Sequence, residues 1–413
     1  MKLNIGFVGM THLGIISSIA SASKKFNTVA FDEDYKLINQ IKKKRFPINE
    51  PKLIATYNKV KEYLNFSNNP DDLRKCDLVY FSIDVPTNNN GKSDLKLIKK
   101  KINNTLKYLN KKSTFVILCQ VSPGFTKKIN WPKNRKFYQV ETLVFGNAIE
   151  RALKPERIII GCNDKLCKKL NFFLKSFECP ILCMNYESAE LTKISINICL
   201  VSNITVANTL AEICEKIGAN WNEIIPALKM DRRIGKYSYL KPGLGIAGGN
   251  LERDLNNIKK ISSKNKTHSK IIDAIQSNSE HCSQWVYKKL EELNIKRISI
   301  WGVTYKENTH SIKNSPSIKS IKLMSKYVIN LYDPVVNINK LNLKTSNFTD
   351  KYESLKKSEV LAIFSPWEEF RQINIKKFKK YFCGKFILDP YNTFQNLNLG
   401  KKIKILTIGN GII

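Results

Sequence analysis

Histidine is scarce in this chain, with four in 413 residues, at positions 12, 268, 281 and 310. Cysteine is not scarce, but the ten present never form a C-x-x-C pair. The nearest approaches to a ligand spacing are Cys162/Cys167 and Cys179/Cys183, and no histidine lies near either pair. A zinc centre is therefore not expected, and no metal site of another kind is visible. The cysteines are scattered, mostly within apolar segments, which is the usage of reduced, buried thiols and points to a cytoplasmic protein. Acidic residues are about half as frequent as basic ones, 35 against 69, giving a net charge of +34. Such an excess can attract nucleic acid or an anionic membrane. Here the lysines are spread along the chain among Asn and Ile, with no stripe of interleaved aromatics, so neither partner is expected. Apolar residues make up 42% of the chain, enough for ordinary cores. No unbroken run reaches the ~18 apolar residues that imply a transmembrane helix. No short-period repeat and no disordered tract is visible. The opening MKLNIGFVGMTHLGIISSIASAS imitates a signal peptide, but Asn4, Thr11 and His12 interrupt it, and it reads better as strand, glycine turn and helix.

The length suggests two or three domains at ~150 residues each. LNIGFV (3–8) reads as a buried strand, GMTHLG as a turn, ISSIASASKK as a helix, and TVAFDED (28–34) as a second strand ending in acids. That order opens a dinucleotide-binding domain. CDLVYFSIDVPT (76–87), TFVILCQVS (114–122) and RIIIG (157–161) add strands, and their alternation with helical stretches indicates a parallel, doubly wound sheet. TNNNGKSD (87–94) is the clearest surface loop. From Ser188 to about Ala219 the apolar spacing turns helical, with a Ser cap at the start and Gly218 near the end. The helix is long enough to serve as a connector or a dimer seam, and further helical segments run to about Leu293. RISIWGV (297–303) then starts a second strand–turn–helix series, continued by VINLYDP (328–334), SEVLAIFS (358–365) and KFILDP (385–390). The fold expected is α/β, two Rossmann-like doubly wound domains joined by a helical central domain with a long connecting helix.

One stretch carries chemistry on its face. GLGIAGGNLERDL (243–255) has the glycine density of a loop that lets backbone come close to a ligand or take positive φ. It has no nucleophile.

The ordered stretches GFVGMTHLG, FDED, FPINEP, VPTNNNGKSDL, VSPGFT, KPERIIIG, AELTKISIN, RRIG, the 242–255 loop, YKENTHSIKNSP and YDP resemble the UDP-glucose/GDP-mannose dehydrogenase family over nearly the whole chain. The resemblance implies NAD-dependent oxidation of a nucleotide-sugar alcohol, in the family to a carboxylate by two hydride transfers. It implies an NAD-binding domain over 1–185, a central dimerisation and active-site domain over 186–293, and a nucleotide-sugar-binding domain over 294–413. A homodimer is expected with it.

The cofactor fingerprint G-x-G-x-x-G stands here as Gly9, Thr11 and Gly14, with Thr11 in place of the glycine that lets backbone approach a pyrophosphate. Asp32, ending the second strand, is placed for the ribose hydroxyls and favours NAD over NADP. Gln120 and Lys313 fall where the family has a strand-end Thr and an Arg, and are carried as cofactor-side positions. Lys193 and Asn197, four apart on one helix face, match the family's Lys and Asn that hold water and stabilise an oxyanion. Asp254 matches the loop Asp that handles protons with that Lys, and Glu141 the catalytic Glu. Arg233 matches an Arg lent across the dimer interface. Tyr239 and Gly245 belong to the loops about the substrate, and Lys306 to the Lys of the third domain that reaches it. Each of these alone is more often a solvated charge or an ordinary turn residue.

The departures cluster. The family's nucleophilic Cys is Asn250, and no cysteine lies between Cys214 and Cys282. A second family Glu is Phe145, and the loop Pro and Lys are Glu252 and Arg253. The paired acids of the C-terminal motif are His310 and Ser311, and Tyr391 stands where an Arg is usual, beside a retained Asn392. An amide cannot replace a thiolate as nucleophile, so the expected reaction is one two-electron oxidation. Two alternatives stay open. One is full oxidation with Glu141 acting as base on the aldehyde hydrate. The other is a non-catalytic nucleotide-sugar-binding protein.

Overall fold

The computed structural model describes residues 2–86 and 93–411, so the surface loop read at 87–94 lies, as far as residue 92, outside the described residues. Contacts divide the chain into two units, Met1–Ile196 and Asn197–Ile413.

The first unit is built on eight strands: β1 (Asn4–Val8), β2 (Asn27–Phe31), β3 (Leu64–Ser67), β4 (Leu78–Phe81), β5 (Thr114–Ile117), β6 (Lys136–Gln139), β7 (Ile158–Gly161) and β8 (Ile181–Met184). Their order is β3-β2-β1-β4-β5-β6-β7-β8, and every pair is parallel except β6/β7. Successive side chains of a strand point to opposite faces. Leu78 and Tyr80 of β4 join one apolar cluster, while Val79 and Phe81 join another. Both faces are covered, which is why the strands read as unbroken apolar runs rather than alternating ones.

The strands are shorter than the sequence runs, because polar side chains at their ends capture backbone. β2 stops at Phe31: the Asp32 carboxylate accepts Met10 N–H at 2.7 Å, and Asp34 accepts Lys36 and Leu37 N–H to cap the next helix.

The long helix runs Tyr186–Ile217, 32 residues. Its cap is not Ser188: Asn185 Oδ1 accepts Ser188 N–H at 2.7 Å, so the cap lies three residues earlier than the sequence suggests. Gly218 follows with φ +77°, the left-handed conformation that glycine adopts without Cβ strain. Among the described residues this is the one helix long and apolar enough to cross a membrane, with a mean hydropathy of 1.5. Two of its buried polar residues are engaged by protein. Glu190 accepts Gly124 and Thr126 N–H at 2.5 and 2.7 Å, and Asn208 accepts Gly243 N–H at 2.8 Å.

The second unit carries helices Trp221–Met230, Gly249–Lys264, Lys270–Ser283 and Trp285–Leu293. A six-stranded parallel sheet follows: β9 (Arg297–Trp301), β10 (Val328–Tyr332), β11 (Ser346–Phe348), β12 (Val360–Ile363), β13 (Phe386–Leu388) and β14 (Lys404–Leu406), in the order β11-β10-β9-β12-β13-β14. The two sheets are built alike at their centres. Gly9 N–H bonds Phe31 O and Met10 N–H bonds Asp32. Correspondingly, Gly302 N–H bonds Tyr332 O at 2.8 Å and Val303 N–H bonds Asp333 at 2.7 Å. The equivalent glycine and aspartate, Gly9 with Asp32 and Gly302 with Asp333, are shared, in keeping with the second strand–turn–helix series read from RISIWGV.

All ten cysteines are free thiols. The expectation that they are buried needs correcting: Cys183, Cys199 and Cys383 are exposed, on the edge strand β8, on an outer face of the long helix, and in the turn before β13.

Candidate active site

In the first unit the strand order reverses between β1 and β4, the place where open α/β sheets bind ligands. Gly9 lies there with φ +97°. A Cβ on Gly14 would collide with the Gly9 carbonyl oxygen, so the helix His12–Ser23 can pack against the turn only with glycine at 14. Thr11 tolerates its side chain at the second glycine position because Oγ1 turns toward β4. It accepts Asp84 N–H at 3.0 Å and donates to Ser82 O at 3.3 Å. Asp32 Oδ2 ties the turn to the end of β2, and Oδ1 accepts Asp34 N–H at 3.0 Å. A glycine turn that excludes side chains, opening a helix and backed by a strand-end acid, fits a dinucleotide. Gln120 is half-buried just after β5.

Beyond β6 the chain delivers Glu141. One carboxylate oxygen accepts Leu143 N–H, and the other pairs with Lys193 Nζ at 3.2 Å. Both side chains are largely withdrawn from water, 12% exposed for Lys193 and 19% for Glu141. An ion pair this shielded holds its partners in one geometry. It joins two sequence-predicted residues 52 positions apart.

The second unit holds the loop and its acid. Asn197 Nδ2 donates to Asp254 Oδ2 at 2.5 Å, and Arg253 Nε approaches Asp254 Oδ1 at 3.4 Å. Asp254 and Arg253 are both buried. Arg253, in place of the usual Lys, is buried beside Asp254, which the sequence does not announce. The glycines are required by what lies over them. At Gly245, φ is +80° and a Cβ would collide with the Ser279 carbonyl oxygen. Gly248, also at φ +80°, faces the Tyr305 ring, and Gly249 lies under the Lys313 side chain. Lys313 is thus brought to the glycine loop, while Lys306 sits with Nζ 5.8 Å from the Tyr305 ring centroid. Asn250 is exposed in the first turn of the helix Gly249–Lys264. Arg233 is 89% exposed and bonds Asp231 through two nitrogens, at 3.0 and 2.6 Å. Tyr239 is half-exposed.

Glu190, His12 and Glu50 are buried polar residues to which the sequence assigns no role. Each sits inside a motif that had been noticed, AELTK, GMTHLG and FPINEP, and a charged or polar side chain among apolar neighbours was the available signal. Glu190 holds the loop at Gly124–Thr126, and burial pushes its carboxyl above the usual carboxylate value.

A dinucleotide turn at one switch point and a half-buried ammonium–carboxylate pair define a nucleotide-dependent oxidoreductase. Three domain models of one family match in succession. The NAD binding domain of the UDP-glucose/GDP-mannose dehydrogenase family matches residues 3–175, its central domain 187–280 and its UDP binding domain 299–396. The chain is 29% identical over 418 residues to a UDP-glucose 6-dehydrogenase of Rickettsia prowazekii, covering 95% of this chain and 96% of that one. It is 27% identical over 431 residues to a UDP-N-acetyl-D-mannosamine dehydrogenase of Methanococcus vannielii, covering 98% and 96%. The fold is that of a UDP-glucose dehydrogenase from Pyrobaculum islandicum, with a TM-score of 0.85, 20% identity, and 99% and 98% of the two chains covered. The chain belongs to the UDP-glucose/GDP-mannose dehydrogenase family. It is an NAD-dependent oxidoreductase acting on a CH–OH group of a nucleotide sugar.

Proposed function

We propose that this enzyme carries out a single two-electron oxidation of a UDP-hexose and releases the carbonyl product. The observation that carries the reading is Asn250 opening the helix Gly249–Lys264, with no cysteine between Cys214 and Cys282. The usual second oxidation needs thiolate attack on the aldehyde, and a carboxamide nitrogen, its lone pair delocalised, does not attack a carbonyl. Bound NAD⁺ supplies the hydride acceptor. The alcohol proton passes to the Glu141 carboxylate, and the Lys193 ammonium stabilises the developing alkoxide. Asn197 sits one helical turn beyond Lys193, its amide oriented by Asp254. Asn250 orients the carbonyl oxygen through its N–H groups. Arg233, Tyr239, Gly245 and Lys306 are assigned to the nucleotide sugar, and Gly9, Thr11, Gly14, Asp32, Gln120 and Lys313 to the cofactor.

A homodimer belongs to the same reading. Val206, Leu210, Ile213 and Ile217 are exposed along one stripe of the long helix, at the i, i+4, i+7, i+11 spacing of a helix–helix seam. The exposed Arg233 is then available to a second copy. The free thiols support a reducing compartment.

The test is single-substrate turnover with excess NAD⁺ and limiting UDP-glucose, recording NADH and product mass together. One NADH per sugar with a carbonyl product is expected. Two NADH and a carboxylate would replace this reading by direct oxidation of the aldehyde hydrate with Glu141 as base. Ligand binding without NADH would make the chain a binding protein. Lys193→Ala separates these further, abolishing turnover while leaving nucleotide-sugar binding within about threefold if its role is in chemistry.

A further inference from the structure

His12 follows the cofactor turn directly and begins the helix His12–Ser23. Its ring Nε2 lies 2.8 Å from Glu50 Oε1, with side-chain exposures of 9% and 1%. Glu50 comes from FPINEP, 38 residues away in sequence. Its carboxylate reaches further. Both oxygens accept Gly146 N–H at 3.0 Å, and Oε2 accepts Ala148 N–H at 3.4 Å. Gly146 has φ +87°, and the Phe145 ring lies tilted against the His12 ring with centroids 4.1 Å apart. The segment so held, 142–148, follows directly on Glu141, whose own carboxylate is bonded by Leu143 N–H within it. Arg151 Nε pins the same segment through Thr142 O at 3.1 Å. Burial alone would raise the Glu50 carboxyl, but the bonds from His12, Gly146 and Ala148 outweigh it and hold the group below the usual carboxylate value. It stays an anion with every bond directed.

We propose that His12 and Glu50 are positioning residues that clamp the Glu141 loop to the cofactor turn. The inference rests on the reading of Glu141 as the proton acceptor. The clamp makes a continuous path from Gly9–Thr11 through the His12 ring and the Glu50 carboxylate to the backbone that aims Glu141. NAD⁺ bound at the turn then orders the loop carrying the base, and the loop is presented properly only when the turn is occupied. The pair holds the carboxylate of Glu141 without touching a reacting atom.

Hydrogen exchange of peptide 142–150 is the first measurement, in wild type and in His12→Phe, with and without NAD⁺. His12→Phe keeps an aromatic ring for Phe145 and removes the nitrogen that meets Glu50, and His12→Gln restores a donor of similar reach. Adding NAD⁺ slows exchange in 142–150 in wild type and in His12→Gln, and fails to do so in His12→Phe. Equal NAD⁺-dependent protection in all three overturns the clamp. Protection of peptide 9–20 by NAD⁺ reports cofactor binding separately, so loss of binding is not mistaken for loss of coupling. The second measurement is kinetic. His12→Phe lowers kcat about tenfold with the KM for nucleotide sugar within about twofold, since misplacing a catalytic group by a fraction of an ångström costs turnover first. In a Glu141→Gln background the same substitution changes kcat by less than about twofold, because two residues acting through one group do not add. An undiminished tenfold effect there overturns the inference. Failure of the Glu141 assignment shows differently: Glu141→Gln by itself then leaves kcat near wild type.

Discussion

At the scale of single residues, polar groups in this enzyme are committed in pairs, and the cost of unpairing them is large. Asp254 is buried between Asn197 and Arg253. Asp254→Ala leaves a buried guanidinium facing a void, and truncating one partner of such a pair typically costs about 3–5 kcal/mol. Asp254→Asn keeps the shape and one acceptor, so it is expected to lose less than half as much, as measured by urea unfolding. If the alanine variant were as stable as wild type, Arg253 would have to find water. Much of this was legible beforehand. Lys193, Asn197, Glu141 and Asp254 stand out in the sequence through the family motifs that contain them, since each alone reads as an ordinary polar residue. Their partnerships were not legible. Lys193 with Glu141, and Glu50 with His12, are separated by dozens of residues, and only the folded sheet brings those segments together.

At the scale of elements, each unit has one backbone device of note. The first is the glycine loop. Gly245 takes φ +80° against the Ser279 carbonyl. Gly245→Ala meets both a left-handed backbone and a collision, and the strain is about 1–3 kcal/mol from conformation alone. A fall in Tm with loss of turnover is expected, and an unchanged Tm would show that the loop can move away from Ser279. The second device is the Glu50 clamp, with a pH signature. Because its folded pKa lies below the ordinary 4.5, the folded chain binds that proton less readily than the unfolded one. The stabilisation is complete above about 4.5 and is lost as pH falls through the lowered folded value. Glu50→Gln should flatten the decline in stability as pH falls below about 4.5, seen as a smaller change of urea midpoint than in wild type. Glu190, raised by burial, drifts the opposite way and is common to both proteins, so it cancels in the comparison. Element boundaries show where sequence reading stops. Asn185 rather than Ser188 caps the long helix, since either residue type can cap and only the backbone path decides which side chain meets a free N–H.

At the scale of the whole molecule, the proposed dimer uses the apolar stripe on the long helix as its seam. Leu210→Lys with Ile213→Lys places two ammonium groups in the seam, and light scattering on a sizing column should shift from dimer to monomer with the Tm of the monomer nearly intact. A dimer that persists would locate the seam elsewhere. The charge of +34 adds self-repulsion, so association should strengthen as salt rises toward about 0.15 M, where the Debye length is about 8 Å.

The sequence by itself determined that two parallel sheets would form and that a long helix would lie between them in the chain. Period and composition are local properties, set by the backbone's steric preferences and by the need to cover both faces of a parallel sheet. Only the tertiary structure decided the pairings. It selected Glu141 for Lys193, Asp254 for Asn197 and Glu50 for His12, and it repeated one strand–turn geometry at Gly9 and Gly302. Those choices depend on which strand ends and loops are brought side by side. Spacing along the chain does not encode them, because hydrogen bonds and ion pairs are made across space at about 3 Å.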